Sequence, residues 1–174
     1  LHYTLGDQPE LDAHIAQLLR HLREVSRRGG AAPDTIIALE STLHEMRLFK
    51  RPAEIELMRH ASKVSAAAHV AAMQFTRPGR YEWEVAARIH AEFESNDMQP
   101  GYGSIVGGGD NACILHYVEN NARLKDGDLL LIDAGGEFCG YTSDITRSFP
   151  VNGRFTGEQK AVYRAVPVPP EFLD

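Results

Sequence analysis

Cysteine is almost missing from this 174-residue sequence, where Cys113 and Cys139 are the two that occur. Two are too few for a disulfide framework, so both read as free thiols of a reducing cytosol. Long apolar runs are missing as well. Nothing approaches the roughly 18 residues of a membrane span, and the N-terminus has neither the basic segment nor the apolar core of a signal peptide. A soluble, cytoplasmic protein with no membrane partner is the expectation. Blocks of basic charge are also absent: Lys and Arg are scattered and the formal net charge is -6, which argues against a nucleic-acid partner. No fixed-period repeat or low-complexity segment occurs. Nor is there an initiator methionine; Leu1 leads straight into His2-Tyr3-Thr4-Leu5-Gly6, which reads as the interior of something longer.

What is present suffices for an ordinary core, with 43% hydrophobic and 24% charged residues. Leu11, Ile15, Leu18, Leu19, Leu22 and Val25 share one helical face that Gly29-Gly30 ends, and Thr35 to Leu39 reads as a short strand. Ser41 to Lys50 reads as a connector. A second helix starts near Pro52 and turns Ile55, Met58, Ala61, Ala68 and Ala72 towards a core. Arg77-Pro78-Gly79 makes a turn before a third helix marked by Val85, Ile89 and Phe93. From Gly101 onward, strands are expected at Ser104 to Val106, Ala112 to Tyr117, Asp128 to Ala134 and Tyr141 to Phe149. Thr156-Gly157-Glu158-Gln159 has a capping-box pattern, and the prolines at 167, 169 and 170 make a tail of residues 167–174. Helices followed by a strand-rich half favour an α+β fold.

Two aspartates carry the chemistry. Asp133 closes the apolar run Leu129-Leu130-Leu131-Ile132, where an unpaired carboxylate would cost several kcal/mol. If the last two expected strands form a hairpin in which Glu137 faces Gly140, Asp133 faces Asp144 on one side. Two opposed carboxylates repel unless a cation meets them, and such a pair can chelate one ion of a two-metal site and bridge to the other. Oxygen ligands favour Mn²⁺ or Mg²⁺, with cobalt, iron and zinc left open. The competing structural reading pairs Asp144 with Thr142, Thr146 or Arg147. A one-residue slip would send the two side chains to opposite faces. His116, in the apolar and half-buried stretch Ile114-Leu115-His116-Tyr117, either meets a substrate carbonyl or bonds to backbone. Gly107-Gly108-Gly109 lacks the Lys-Ser or Lys-Thr of a phosphate loop and reads as a tight turn with no helix after it. Glu92, Glu94 and Asp97 read as a solvated helix face.

Tyr102-Gly103-Ser104-Ile105-Val106, Asn111 to Tyr117, Asp126-Gly127-Asp128-Leu129, Ile132-Asp133-Ala134-Gly135 and Asp144 to Pro150 occur in an order that closely resembles the bacterial aminopeptidase P family of pita-bread metallopeptidases. The likeness extends upstream through His44-Glu45-Met46-Arg47-Leu48-Phe49-Lys50. It implies the end of an N-terminal creatinase-like domain over residues 1–46, the first half of the catalytic domain over 47–166, and a tail outside the family pattern over 167–174.

By the same resemblance, Asp133 and Asp144 are ligands of a dinuclear divalent centre, usually manganese, with cobalt, zinc, iron or magnesium as alternatives. His116 bonds the substrate or stabilises the tetrahedral intermediate, and Tyr102 lines the substrate pocket. The implied reaction is attack by a metal-bridging hydroxide on the carbonyl of an N-terminal residue followed by proline. The family completes its metal site with a later histidine and two glutamates. Here no histidine follows His116, and Glu158 and Glu171 are the glutamates after Asp144. The resemblance therefore implies an incomplete site, weak metal binding, and self-association into a homo-oligomer through exposed edges. A prolidase, a creatinase-like hydrolase and a catalytically silent binding module of the same fold are the alternatives.

Overall fold

The computed structural model describes residues 1–26 and 31–166, which fall into two compact units, Leu1–Arg51 and Pro52–Asp174. In the first unit, α1 (Pro9–Val25) begins with a proline at a position where its missing N–H is no loss. Leu19 is its one buried residue. The glycines expected to end it, and the proline-rich tail 167–174, lie outside the described residues.

Two expectations for this unit are corrected. Thr35 to Leu39 is not a strand but a single parallel bridge between His2 and Ile37, with Tyr3 N donating to Ile37 O at 2.9 Å and Ile37 N to Leu1 O at 2.9 Å. The expected connector is helical: α2 spans Leu39–Leu48. Its signal is faint because Ala38 offers no side-chain cap and no residue of α2 is buried. Without those, neither a start signal nor an apolar stripe distinguishes a helix from a loop.

The second unit begins with α3 (Pro52–Phe75) packed against α4 (Glu82–Glu94). Ala61, Val64, Ala68 and Ala72 are buried at three-to-four-residue spacing and allow close approach of the neighbouring elements. Ile55 and Met58 were expected on this face but lie off it, 39% and 38% exposed, while Leu57 has the right phase. The α4 face is Val85, Ile89 and Phe93, all fully buried. Burial of each large apolar side chain contributes roughly 1.5–3 kcal/mol.

Against these helices lie two antiparallel three-stranded sheets. The strands are β1 (Gln99–Pro100), β2 (Ile105–Gly108), β3 (Leu129–Ala134), β4 (Gly136–Phe138), β5 (Tyr141–Thr142) and β6 (Ile145–Pro150). Their orders are β1-β4-β5 and β2-β3-β6. The chain closes with α5 (Gly157–Ala165), whose capping box forms as expected: Gln159 N donates to Thr156 Oγ1 at 3.2 Å and Thr156 N to Gln159 Oε1 at 2.9 Å.

The strand half differs from expectation in four places. Tyr141 to Phe149 is not one strand but two, β5 and β6, which belong to different sheets and are separated at Ser143-Asp144. Asp133 faces Thr146, not Asp144, and Glu137 faces Thr142, not Gly140. The cause is a two-residue turn at Cys139-Gly140, whose φ values of 50° and 84° suit the tight turn that matches strand twist. Ala112 to Tyr117 is not a strand either; a 3₁₀ helix covers Gly109–Cys113 and an irregular loop follows. Positive φ at His116 (56°) breaks any extended run there. Finally, Gly107 and Gly108 belong to β2 and are not a tight turn. A Cβ on Gly107 would meet the Asn111 backbone at 2.9 Å, so the glycines let the 3₁₀ segment fold back on the strand.

Candidate metal centre

The apolar run before Asp133 alternates: Leu130, Ile132 and Ala134 are buried, whereas Leu129, Leu131 and Asp133 are only partly so. The expectation of a carboxylate in a wholly buried strand is thus corrected, and Asp133 stands on the half-open side of β3. Asp144 lies between β5 and β6 and is exposed. The observed register is displaced by two residues from the expected one, which leaves side-chain parity unchanged.

Tyr102, on the loop between β1 and β2, joins the two aspartates. Its hydroxyl lies 2.6 Å from Asp133 Oδ1 and 3.2 Å from Asp144 Oδ1. The two carboxylate oxygens can therefore be no further apart than those contacts laid end to end. One hydroxyl has one proton, and the shorter contact marks Asp133 as its main acceptor. Among the described residues, no Lys, Arg or His forms an ion pair with either aspartate, so the structural ion pair weighed for Asp144 and Arg147 does not occur. Two converging carboxylates with half a donor each make a site that lacks positive charge. Among the described residues, no group of three or more His, Cys, Asp or Glu side chains could hold a metal ion.

Burial first, and then the hydrogen bond to Asp133, push the Tyr102 hydroxyl far above its ordinary pKa of 10.0. The folded state holds this proton more tightly than the unfolded chain does. Its contribution to stability is therefore complete below pH 10 and is lost as pH rises through the higher folded value. Tyr102→Phe is expected to cost about 1 kcal/mol at neutral pH, near the low end for a bond to a charged group because the site is partly open. Denaturant midpoints check the cost. Ultraviolet titration should show no fewer tyrosines ionising below pH 11 in the variant than in the parent, since Tyr102 should not ionise there.

Helix α3 holds the chain on both sides of Asp144. Ser65, fully buried, places its hydroxyl 2.7 Å from that of Ser143 and accepts Gly136 N at 3.0 Å. His69, 2% exposed, sets Nε2 3.0 Å from Ile145 O and Nδ1 2.8 Å from Ser65 O. Sequence reasoning passed over both residues; a serine and a histidine four apart on the alanine face of a helix were the available signal.

His116 is exposed, and so are Ile114 at 53% and Leu115 at 85%, which corrects the half-buried stretch expected there. The loop is instead held by polar groups. Glu82, the first residue of α4 and fully buried, accepts bonds from Gly108 N (2.8 Å), Asn111 Nδ2 (3.1 Å), Tyr117 Oη (2.7 Å) and Ala122 N (2.9 Å). Asn120 adds a second clamp by accepting Val106 N at 2.8 Å and donating to Ser104 O at 2.8 Å. A glutamate in a helix's first turn has an ordinary explanation in the helix dipole, so Glu82 carried no distinct signal in the sequence.

Residues 56–167 match the model of metallopeptidase family M24. The Xaa-Pro aminopeptidase of Escherichia coli strain K12 is 46% identical over 167 residues, covering 95% of this chain and 38% of that protein. Two solved structures of Escherichia coli aminopeptidase P, a variant in complex with substrate and a zinc-substituted form with product, superpose at a TM-score of 0.85. Each shows 46% identity and covers 94% of this chain and 37% of the other. The chain thus spans about two fifths of these relatives.

Proposed function

The chain belongs to metallopeptidase family M24, and from that premise we propose that it carries the first two metal ligands of a peptidase that releases the residue preceding proline from a peptide N-terminus. The observation that supports this reading is the convergence of Asp133 and Asp144 on the Tyr102 hydroxyl with no protein cation to neutralise them.

The residues fit a hard divalent ion, because carboxylate oxygens are its preferred donors and the pair needs positive charge. In this proposal Asp133 and Asp144 would hold the metal, with Mn²⁺ as the native ion. When bound, such ions supply a hydroxide nucleophile at neutral pH and polarise the scissile carbonyl. Tyr102 keeps the two carboxylates in register and holds its own proton while doing so. That role differs from lining the substrate pocket, and the two contacts of its hydroxyl favour it. His116, open to solvent, is the residue proposed to meet the substrate carbonyl.

Two carboxylates do not complete a dinuclear site. Of the two glutamates after Asp144, Glu158 lies in the first turn of the exposed helix α5 and Glu171 lies outside the described residues. The 174-residue polypeptide by itself is therefore proposed to turn over negligibly. The test mixes it with a separately expressed later portion of the Escherichia coli relative and follows release of the first residue from Xaa-Pro tripeptides and dipeptides. No cleavage by the chain alone and proline-dependent cleavage by the mixture are expected. Robust cleavage by the purified chain would overturn the incomplete site, cleavage of dipeptides only would move the reading to a prolidase, and cleavage without regard to proline would sink both.

A further inference from the structure

Glu82 presents a problem that the proposed chemistry does not use. It is a fully buried carboxylate, and salt bridges among the described residues leave it without a cation. Four donors offset the cost of burying it. Those donors are unusually placed: Gly108 N and Asn111 Nδ2 precede His116, while Tyr117 Oη and Ala122 N follow it. Every bond of Glu82 thus closes the same loop, and the pairs stand on either side of one exposed histidine.

The chemistry of the network requires an acceptor with two free oxygens. Tyr117 gives its one proton to Glu82 and accepts from Asn111 Nδ2 at 2.9 Å and Asn121 N at 3.3 Å. Burial first, and then this bond to Glu82, raise the Tyr117 pKa, so the phenol remains a donor. Asn111 spends its two amide hydrogens on Glu82 and Tyr117. A glutamine at position 82 has one oxygen and one NH₂. Whichever way that amide turns, it strands either the Gly108 or the Ala122 backbone N–H.

We propose that Glu82 is the positioning residue for His116: from the buried start of α4 it closes the 108–122 loop and holds the histidine at the left-handed backbone conformation from which it meets substrate. This rests on the reading of His116 as the substrate-facing residue. The φ of 56° at His116 supports it, because a non-glycine residue keeps that conformation only where its surroundings impose it. The apolar neighbours cannot impose it, since Ile114, Leu115 and Val118 are all more than half exposed.

The test needs no turnover. Amide exchange and the His116 imidazole signals are followed by NMR in the 174-residue chain, its Glu82→Gln variant, and an Ile89→Val variant as a control for general loss of core stability. In Glu82→Gln, exchange at Gly108 or Ala122 should quicken at least tenfold more than at Leu130 and Ile132, and the His116 signals should move to those of a free side chain. Ile89→Val should leave the His116 signals in place. If Glu82→Gln does not fold, Tyr117→Phe, which removes one donor and leaves the carboxylate, should move the His116 signals in the same direction. Equal acceleration across loop and β3, or unmoved His116 signals in whichever variant folds, overturns the proposal. If the loop responds as expected but His116→Ala leaves cleavage by the complemented mixture unchanged, the anchoring stands and the aminopeptidase reading of His116 fails.

Discussion

Gly135→Ala is expected to destroy the fold of the second unit or to destabilise it by on the order of 4 kcal/mol or more, in the class reserved for severe core and backbone defects. A Cβ at this position would lie 1.6 Å from Ser143 O and 2.6 Å from its carbonyl carbon, with Tyr102 Cε1 at 3.2 Å. The obstacle is backbone held by Ser65, not the movable end of a side chain. The chain leaves one sheet at Ala134 and enters the other at Gly136, and the return segment 143–144 crosses directly against it. Any shift that relieved the overlap would carry Asp144 away from Asp133, so even a folded variant should lose metal affinity. Gly140→Ala is the control, because φ is 84° there but nothing stands within 4 Å of a Cβ. It should cost only about 1–2 kcal/mol. Thermal and denaturant melts compare the two, and a Gly135→Ala protein as stable as Gly140→Ala would show that the crossing is looser than described.

Asp144→Asn should weaken Mn²⁺ binding at least tenfold, or about 1.4 kcal/mol, and Asp133→Asn should do the same. In the proposed site an ion held by the pair would meet two charges at once, and either substitution would remove half of them. Binding to the unsubstituted chain is expected to be weak, because two carboxylates do not complete a site. The metal-free stability of Asp144→Asn should move the other way: Asp144 makes the longer contact with Tyr102, removing its charge relieves repulsion, and the apo variant should be no less stable than its parent. Calorimetric titration beside apo denaturation measures both signs. Unchanged Mn²⁺ affinity in Asp144→Asn would place the ion elsewhere and remove the physical basis of the proposed site.

The helices with apolar stripes were legible from spacing. Val85, Ile89 and Phe93 fall on the buried face of α4 as their periodicity requires, and the Pro52 start and the Thr156 capping box are where local chemistry puts them. Segments stabilised by distant partners were not legible. Ala112 to Tyr117 has strand composition, yet Glu82, some 30 residues earlier, takes its donors and bends it into a 3₁₀ turn and a loop. The α2 segment has neither cap nor buried stripe and read as a connector for that reason. For the site, Asp133 stood out because its neighbours are apolar or glycine, and Asp144 because it lies just after the next turn. Ser65, His69 and Glu82 did not, since each has an ordinary role available to it on a helix.

By itself the sequence determined that Asp133 ends an apolar strand, that a glycine-rich break follows, and that Asp144 returns on the next segment. Those are consequences of an apolar run and of turn chemistry, which act between near neighbours. Only the tertiary structure decided how the carboxylates meet. The Cys139-Gly140 turn sets a register two residues from the expected one, and Ser65 and His69 clamp the return strand. Tyr102 arrives from 31 residues away to share its hydroxyl. Register and convergence depend on contacts between residues far apart in the chain, and a pattern read along the chain contains no distances.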